Sequence, residues 1–263
     1  MNATDDRPSG AVAWMTGAAS GIGRATARRW ADAPGPVVIL DLPDADTSWT
    51  EGDERFTVVP GDVRDEAANE ECVRRAELLG GLGAVFLNAG VPVSGTIESV
   101  DLERFDLAMD VNVRAVVIGL RAAAPVLRRR GSGSIVVTAS VSGLGGEYQR
   151  WPYNTAKGAV INLVKAVAQD LGPDGVRVNA VCPGPVLTGM TESLADADPD
   201  RFQALQDTIP LGRWGAADEV AAVVEFLLDD ASSFVSGAIV PVDGGSSAAV
   251  NQDLRAWRRE RGR

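Results

Sequence analysis

Histidine is absent from all 263 residues of the chain. This absence excludes Ser-His-Asp hydrolase chemistry, His-Glu-x-x-His metalloprotease sites and Cys/His catalysis, because each of them needs an imidazole. Proton transfer must therefore be carried out by Tyr, Lys, Asp or Glu. The two cysteines, Cys72 and Cys182, form neither a Cys-x-x-Cys pair nor a zinc-ligand spacing. We therefore expect reduced, buried thiols and no metal site.

Positive charge and long apolar runs are also scarce. The chain has 25 Lys and Arg against 36 Asp and Glu, a formal net charge of -11, which disfavours nucleic acid and anionic membranes as partners. No apolar run approaches the length that crosses a bilayer, and residues 1–10 lack the apolar centre of a signal peptide. We therefore expect a soluble, cytoplasmic protein.

Seven short apolar runs, which we interpret as strands, alternate with segments of helical periodicity. The runs are 11–15, 37–40, 56–60, 84–87, 135–139, 176–181 and 238–242. The chain is 45% hydrophobic and long enough for one large core, so it needs no second domain. The pattern predicts an α/β fold, a doubly wound parallel seven-stranded sheet in a single domain.

Most predicted strands are followed at once by a glycine, a polar residue or a proline. Ligands of such sheets bind beyond the carboxyl ends of the strands, so we expect these residues to gather along one edge. They are Gly17, Asp41, Asp62, Asn88, Ser140 and Pro183.

A glycine-rich segment, Gly17-x-x-x-Gly21-x-Gly23, lies between the first strand and the first helix. Glycines let the backbone turn sharply and approach a ligand, while free amides at the helix start bind a pyrophosphate; the alternative is a purely structural turn. Asp41 ends the second strand and could accept from both ribose hydroxyls of an adenosine. Its charge would repel a 2′-phosphate, which favours NAD over NADP. The alternative for Asp41 is a helix N-cap.

Tyr153 and Lys157 share one face of a helix predicted to start near Pro152. Ser140 stands opposite them, at the end of the strand 135–139. A phenol, an ammonium and a hydroxyl in this arrangement can make an acid/base site, whereas the alternative is an ordinary surface Tyr and Lys.

Taken together, these motifs resemble the short-chain dehydrogenase/reductase family in order and spacing, from about residue 11 to 245. The motifs are Thr16-Gly-Ala-Ala-Ser-Gly-Ile-Gly23, Asn88-Ala-Gly90, Asn112, Ser140, Tyr153-x-x-x-Lys157, and Pro183-Gly184 with Thr188. The resemblance implies an NAD-binding, Rossmann-like catalytic domain, which we place at 11–247. An arginine-rich C-terminal extension, 248–263, would follow it.

The resemblance implies NAD(H)-dependent interconversion of a secondary alcohol and a ketone. Tyr153 would be the general acid/base, with its pKa lowered from about 10 by the charge of Lys157 and of the nicotinamide ring. Ser140 would hold the substrate oxygen. Asn112 would anchor a water that links Lys157 to solvent.

The family's cofactor contacts carry over to the glycine loop, the strand ends and the Tyr/Lys pair. They are Gly17, Ser20, Gly21, Ile22, Gly23, Asp41, Asp62, Val63, Asn88, Ala89, Gly90, Tyr153, Lys157, Pro183, Gly184, Val186 and Thr188. Family members that grip a 2′-phosphate carry an arginine in the glycine loop or just after the second strand. Ala19, Ser20 and Leu42 occupy those places here.

Substrate pockets of this family come from the segment after the catalytic serine, the segment before the tyrosine and a lid after the sixth strand. The residues implied are Ser142, Glu147, Gln149, Trp151, Pro185 and Met190. These residues favour neither a polar alcohol nor a substrate with a ring or an acyl chain.

The alternatives to an alcohol dehydrogenase are a 3-oxoacyl thioester (acyl-carrier-protein or CoA) reductase and, in another class, a non-catalytic dinucleotide-binding sensor. The resemblance also implies a homotetramer, and we expect Trp257 of the extension to pack on a neighbouring subunit.

Overall fold

The computed structural model of the chain describes residues 11–32, 35–189, 191 and 196–248. The strands in these ranges are β1 (Val12–Thr16), β2 (Val37–Asp41), β3 (Phe56–Pro60), β4 (Leu82–Leu87), β5 (Gly133–Thr138), β6 (Val176–Pro183), β7 (Val186–Leu187), β8 (Gly215–Ala216) and β9 (Ile239–Val242). The helices are α1 (Gly21–Asp32), α2 (Glu66–Leu78), α3 (Leu102–Met109), α4 (Ala115–Arg130), α5 (Trp151–Leu171), α6 (Pro199–Thr208) and α7 (Ala217–Leu228).

Seven of the strands form one parallel sheet in the order β3-β2-β1-β4-β5-β6-β9, while β7 and β8 form a separate two-stranded pair. From β1 the strands follow one another outwards to β2 and β3 on one side, and from β4 to β5 and β6 on the other, so the strand order reverses between β1 and β4. Ligands of doubly wound sheets bind in the crevice at such a point. The predicted fold class is confirmed. The sequence did not predict β7, β8 or α6.

Side chains alternate between the two faces of the sheet, and helices cover both faces. Val12 and Trp14 of β1 pack in one cluster with residues of α2, α4 and α5. Ala13 and Met15 pack in the opposite cluster with residues of α1 and α7. All four are fully buried. This two-sided burial explains why the strands read as continuous apolar runs rather than as alternating ones.

α3 and α4 belong to one helical stretch that runs from residue 102 to 130. Asp110–Arg114 forms a single π-helical turn between α3 and α4. The side chain of Asn112, inside this turn, donates from Nδ2 to the carbonyls of Ala108 and Val91, both at 3.0 Å. The turn therefore joins the helix to the segment that follows β4. Single π turns inside α-helices are frequent at functional sites.

Two threonines fasten the carboxyl edge of the sheet. The Thr16 hydroxyl accepts from the backbone amides of Asn88 at 3.0 Å and Ala89 at 3.1 Å, which joins the ends of β1 and β4. The Thr138 hydroxyl donates to Asn88 Oδ1 at 3.0 Å and adds the end of β5. Three neighbouring strand ends are thus held together through one asparagine.

Residues 141–143 form a short 3-10 turn after β5 that packs directly on α5. A β-carbon at Gly143 would lie 2.6 Å from the carbonyl carbon of Lys157 and 2.7 Å from its oxygen. Real β-carbons are not found at such distances from backbone atoms. Glycine at 143 therefore sets how closely the turn approaches the α5 backbone at Lys157.

We expect Gly143→Ala to destabilise the fold by about 1–3 kcal/mol, because the added methyl group forces the turn away from α5. The measurement is the free energy of unfolding in urea. Gly145→Ala is the matched control, since a β-carbon there meets nothing within 4 Å. Equal stability of the two variants would contradict the close contact.

Candidate active site

Lys157 lies one helical turn after Tyr153, near the start of α5, and its side chain is 2% exposed. Its Nζ donates to the carbonyl of Thr138, at the end of β5, over 2.8 Å. It lies 5.5 Å from the centroid of the Tyr153 ring. Burial lowers the pKa of Lys157 from 10.5 to about 8, and the thiol of Cys182 acts weakly in the opposite direction. The pKa of the ammonium therefore lies close to neutral pH.

The phenol of Tyr153 is set in an environment of mixed charge. Burial is the largest influence and raises its pKa above the ordinary value. The guanidinium of Arg150 and a hydrogen bond with Ser140 lower the pKa, while Glu147 and Cys182 raise it. The guanidinium carbon of Arg150 lies 5.0 Å from the ring centroid. Without a ligand, Tyr153 is therefore a neutral phenol at physiological pH.

Ser140 is buried at the end of β5, where it caps the 3-10 turn. Its hydroxyl accepts from the amide of Ser142 at 3.1 Å and donates to the Ser142 hydroxyl at 3.0 Å. These contacts fix the Ser140 side chain on the tyrosine side of the strand end. Ser142, predicted to touch substrate, is 2% exposed, and these contacts orient Ser140.

Asn112, Gly90 and Lys157 meet behind the tyrosine. Asn112 is completely buried, and its Oδ1 accepts from the amide of Val91 at 3.3 Å. A β-carbon at Gly90 would lie 2.7 Å from Asn112 Oδ1 and 3.5 Å from Lys157 Nζ. Only glycine therefore leaves the amide and the ammonium facing each other across this gap. That Asn112 anchors a water which links Lys157 to solvent stays a prediction.

The glycine loop packs tightly against the ends of β1 and β4. Gly17 has a left-handed backbone, with φ of 64°, and a β-carbon there would lie 2.8 Å from the Cα of Ala89. A β-carbon at Gly23 would collide with the Gly17 carbonyl and lie 2.8 Å from Asn88 Nδ2. Gly21 opens α1 and faces Thr188. The backbone here forms a cradle that side chains would fill, and it fits a pyrophosphate at a helix start.

The remaining loop residues predicted to bind cofactor flank this cradle. Ser20 is exposed and its carbonyl accepts from the amide of Arg24 at 3.1 Å, which starts the helix. Ile22 packs against the core cluster under α1 and α7.

Asp41 lies at the end of β2 with its carboxylate turned to the glycine loop. Oδ2 accepts from the amide of Ala19 at 2.7 Å, and Oδ1 accepts from the amide of Leu42 at 3.0 Å. In the part of the chain that the structure describes, no helix starts at Asp41, and the next helical turn is Ser48–Thr50. The N-cap alternative for Asp41 is therefore wrong.

Asp62 follows β3 and pairs with Arg64, whose Nη2 lies 2.6 Å from Oδ2. This pairing lowers the pKa of the Asp62 carboxyl. The carbonyl of the neighbouring Val63 accepts from Asn69 Nδ2 at 3.0 Å, which ties the segment to α2. The structure thus places both residues on the outer side of the β2 end, next to the cradle along the sheet.

Beyond β6, the chain is held by β9 and by β8. The amide of Gly184 donates to the Val242 carbonyl at 3.1 Å, directly after Pro183. Val186 pairs with Gly215 in the β7–β8 sheet. The amide of Thr188 donates to Thr191 Oγ1 at 2.9 Å. These contacts bring Thr188 against Gly21 of the loop, and close the carboxyl edge on the side away from Asp41.

The predicted substrate residues fall into two groups with different surroundings. Trp151 stacks on Phe105, with ring centroids 5.3 Å apart, and its Nε1 donates to the Thr96 carbonyl at 3.1 Å. It packs on a small apolar cluster and so has a structural partner on each side. Glu147 instead pairs with Arg150 at 2.8 Å beside the tyrosine. Pro185 accepts from the Gly215 amide at 3.0 Å, and Met190 lies outside the described residues.

Two contacts at the site were missed at the sequence level. One is the carbonyl of Thr138 as the partner of Lys157, which no side-chain pattern could reveal because any residue supplies a carbonyl. The other is a main-chain contact of Gln149, which was predicted to touch substrate and is the one non-glycine residue with positive φ (56°) within the described ranges. Its carbonyl accepts from the amide of Gly95 at 2.8 Å, so the turn before α5 is fastened to the segment after β4.

The burial of the Lys157 ammonium predicts how the stability of the fold changes with pH. Below pH 8 both folded and unfolded chains hold the Lys157 proton, so the full cost of burying the charge is present. Between about pH 8 and 10.5 the folded chain releases that proton while the unfolded chain keeps it, and stability rises with pH. We expect wild type to gain about 3 kcal/mol relative to Lys157→Met over this window. Urea unfolding at several pH values measures this gain in stability.

Lys165→Met, at an exposed site on the same helix, is the control. A stability difference between wild type and Lys157→Met that does not change with pH would contradict the prediction.

Comparison with known proteins agrees with this geometry. A family model described as enoyl-(acyl carrier protein) reductase matches residues 17–247. A meso-2,3-butanediol dehydrogenase of Serratia marcescens is 40% identical over 247 residues, covering 92% of this chain and 96% of that protein. A levodione reductase of Leifsonia aquatica is 37% identical over 252 residues, covering 90% and 94%.

Solved structures superpose closely on the fold. The crystal structure of a levodione reductase matches with a TM-score of 0.84 and 36% identity, covering 91% of this chain and 98% of that one. A structure from Beutenbergia cavernae, assigned as an NAD(P)-dependent gluconate 5-dehydrogenase, holds NADP at low occupancy. It matches with a TM-score of 0.85 and 31% identity, covering 92% and 99%. The glycine cradle, the Asn-Ser-Tyr-Lys arrangement and these matches together establish that the chain belongs to the short-chain dehydrogenase/reductase family.

Proposed function

We propose that this chain interconverts a secondary alcohol and a ketone with NAD(H), and that Tyr153 is its general acid/base. The observation that carries the proposal is the meeting of a phenol, a buried ammonium and a hydroxyl beside the glycine cradle. Ser140 hydrogen-bonds the phenol, and the Lys157 ammonium lies 5.5 Å from the ring centroid. The names of the relatives point the same way, since one is a diol dehydrogenase and another is a reductase of levodione.

The chemistry divides between the cofactor and the side chains. A bound nicotinamide dinucleotide would supply the hydride acceptor for oxidation of the alcohol and the hydride donor for reduction of the ketone. Tyr153 Oη accepts the hydroxyl proton in oxidation and returns it in reduction. Ser140 Oγ donates a hydrogen bond to the substrate oxygen, where negative charge develops. Lys157 stabilises the phenolate form of Tyr153 by its charge, and Asn112 holds the inner end of the proton path to solvent.

We assign the cofactor to the carboxyl edge of β1, β2 and β4. Gly17, Gly21 and Gly23 would hold the pyrophosphate, with Asn88 and Gly90 beside the nicotinamide ribose. Asp41 would accept from the adenosine ribose, which makes NAD the preferred form. Support for this preference is the position of the carboxylate, which two backbone amides hold at the rim of the loop. A 2′-phosphate would meet this negative charge at short range.

The test of the acid/base role is Tyr153→Phe, which removes only the hydroxyl. We expect kcat to fall by about 10²- to 10⁴-fold, the usual contribution of general acid/base catalysis, with NADH binding retained. Absorbance of NADH measures turnover, and its fluorescence titration measures binding. The chain has two tyrosines, so Tyr148→Phe is the matched control, at a side chain that is 85% exposed. Full turnover in Tyr153→Phe would refute the mechanism.

The test of cofactor preference is Asp41→Ser. Wild type is expected to use NAD better than NADP, and the variant to lose about tenfold or more of that preference as the repulsion disappears. The quantity is the ratio of kcat/KM for the two cofactors. Asp44→Asn is the control, since Asp44 is an exposed acid in the same loop. A wild-type preference for NADPH would overturn the assignment.

A panel of diols, cyclic alcohols, sugars, steroids and 3-oxoacyl thioesters separates the remaining alternatives. Turnover confined to thioesters with NADPH would favour the 3-oxoacyl reductase. An intact site that binds NADH but turns over nothing in the panel would favour a dinucleotide-binding sensor. The substrate-contacting residues proposed for the panel's best substrate are Glu147, Gln149 and Pro185.

We also propose a homotetramer in the cytoplasm, with the catalytic domain at 11–247. Phe226 on α7 and Phe234 before β9 support association, because 47% and 103% of their surfaces are exposed. Exposed apolar side chains mark protein contacts where they form a contiguous patch. No helix in the described ranges is long and apolar enough to cross a membrane. The extension 248–263 lies outside those ranges except for its first residue.

A further inference from the structure

An ion pair between Glu147 and Arg150 lies directly against the proposed acid/base. Arg150 Nη1 and Glu147 Oε2 are 2.8 Å apart. The guanidinium carbon of Arg150 lies 5.0 Å from the centroid of the Tyr153 ring, slightly nearer than the Lys157 ammonium at 5.5 Å. The phenol is thus flanked by two cations. A carboxylate pairs with the first of them.

The ion pair is not what holds this segment in place. The amide of Gly95 donates to the Gln149 carbonyl at 2.8 Å, and Trp151 Nε1 donates to the Thr96 carbonyl at 3.1 Å. Asn154 Nδ2 donates to the Glu147 carbonyl at 2.9 Å. These bonds fasten the segment on both sides of Arg150 without its side chain. The charges of Glu147 and Arg150 are therefore not needed to hold the segment in place. Their effect on the neighbouring Tyr153 ring can be changed without releasing it.

Four titratable groups surround the phenol. Arg150 and Glu147 precede α5, Lys157 lies on α5, and Cys182 lies on β6. Arg150 lowers the pKa of Tyr153, whereas Glu147 and Cys182 raise it, and burial raises it most. The Arg150 and Glu147 side chains are 31% and 38% exposed, so solvent screens part of their effect. Their influences on the phenolate form are opposite in sign.

We propose that Arg150 is a positioning residue, a second cation that assists proton transfer by Tyr153, and that Glu147 holds Arg150 in place and tempers its charge. The inference rests on the acid/base role proposed above for Tyr153. Arg150 favours the phenolate through its charge over the ring face, from the residue just before α5, whereas Lys157 acts from the second turn of that helix. It touches neither the reacting bond nor the proton path.

The two partners give opposite predictions when each is neutralised. Arg150→Gln removes the cation and leaves the carboxylate, so the limb of the kcat/KM profile that reports deprotonation of Tyr153 moves to higher pH. Glu147→Gln removes the carboxylate and leaves the cation, so the same limb moves to lower pH. We expect each shift to be about half a pH unit or more. Arg150→Lys, which keeps the charge, should return the limb most of the way to its wild-type position.

The matched controls come from a second ion pair of the same length, Arg128 to Asp174, at 2.8 Å. Asp174 follows the far end of the 21-residue helix α5, about 30 Å from Tyr153. Arg128→Gln and Asp174→Asn make the same charge changes and should leave the limb unmoved. A purely structural ion pair would make Arg150→Gln and Glu147→Gln behave alike.

Ionisation of the phenol can also be followed without turnover. In a Tyr148→Phe background Tyr153 is the single tyrosine of the chain, and its phenolate absorbs in the near ultraviolet. The phenol titrations of Arg150→Gln and Glu147→Gln should shift in opposite directions, with Tyr153→Phe as the blank. Opposite shifts support the proposal; shifts of one sign, or none beyond the controls, overturn it. If Tyr153→Phe keeps its turnover, the acid/base role fails while the phenol titration still decides the influence of the pair.

Discussion

The buried ammonium of Lys157 is the constraint on which the rest of the site depends. Removing a cation from water is costly unless polar atoms replace its hydration. Here the Thr138 carbonyl accepts from Nζ at 2.8 Å, so the end of β5 must stay in register with the second turn of α5. Asn112 can face the same ammonium only because a π turn brings it to Gly90. The strand end, the helix and the π turn therefore meet around one charge.

Glycine is the means by which these elements come close enough. At Gly143 a side chain would strike the α5 backbone at Lys157, and at Gly90 it would separate Asn112 from the ammonium. At Gly23 it would fill the cradle behind Gly17. The residues proposed for catalysis and for cofactor binding therefore share one steric requirement, the close approach of a backbone segment to its neighbours. A change at any of these glycines is transmitted to groups that it does not touch.

The sheet and the grouping of Ser140, Tyr153 and Lys157 could be predicted from the sequence, because side-chain types and their spacing signal both. Apolar runs with a polar residue or glycine at the end mark buried strands, and Tyr153 and Lys157 stand at a helical spacing. Backbone features left no such signal. The π turn at 110–114 lies inside a stretch that is helical on both sides, and no residue type marks an i→i+5 turn. The stacking of Trp151 on Phe105 depends on the path of residues 91–101, which no periodicity describes.

Burial acts on the two catalytic groups in opposite directions, and this determines what the site needs. It raises the pKa of Tyr153 and lowers that of Lys157 to about 8, so burial favours the neutral form of both groups. A phenolate cannot then rely on Lys157 alone as the pH rises. A guanidinium keeps its charge throughout that range, since arginine is not deprotonated in proteins. A cation of this kind at 5.0 Å from the ring supplies the part of the field that an ammonium of lowered pKa would lose.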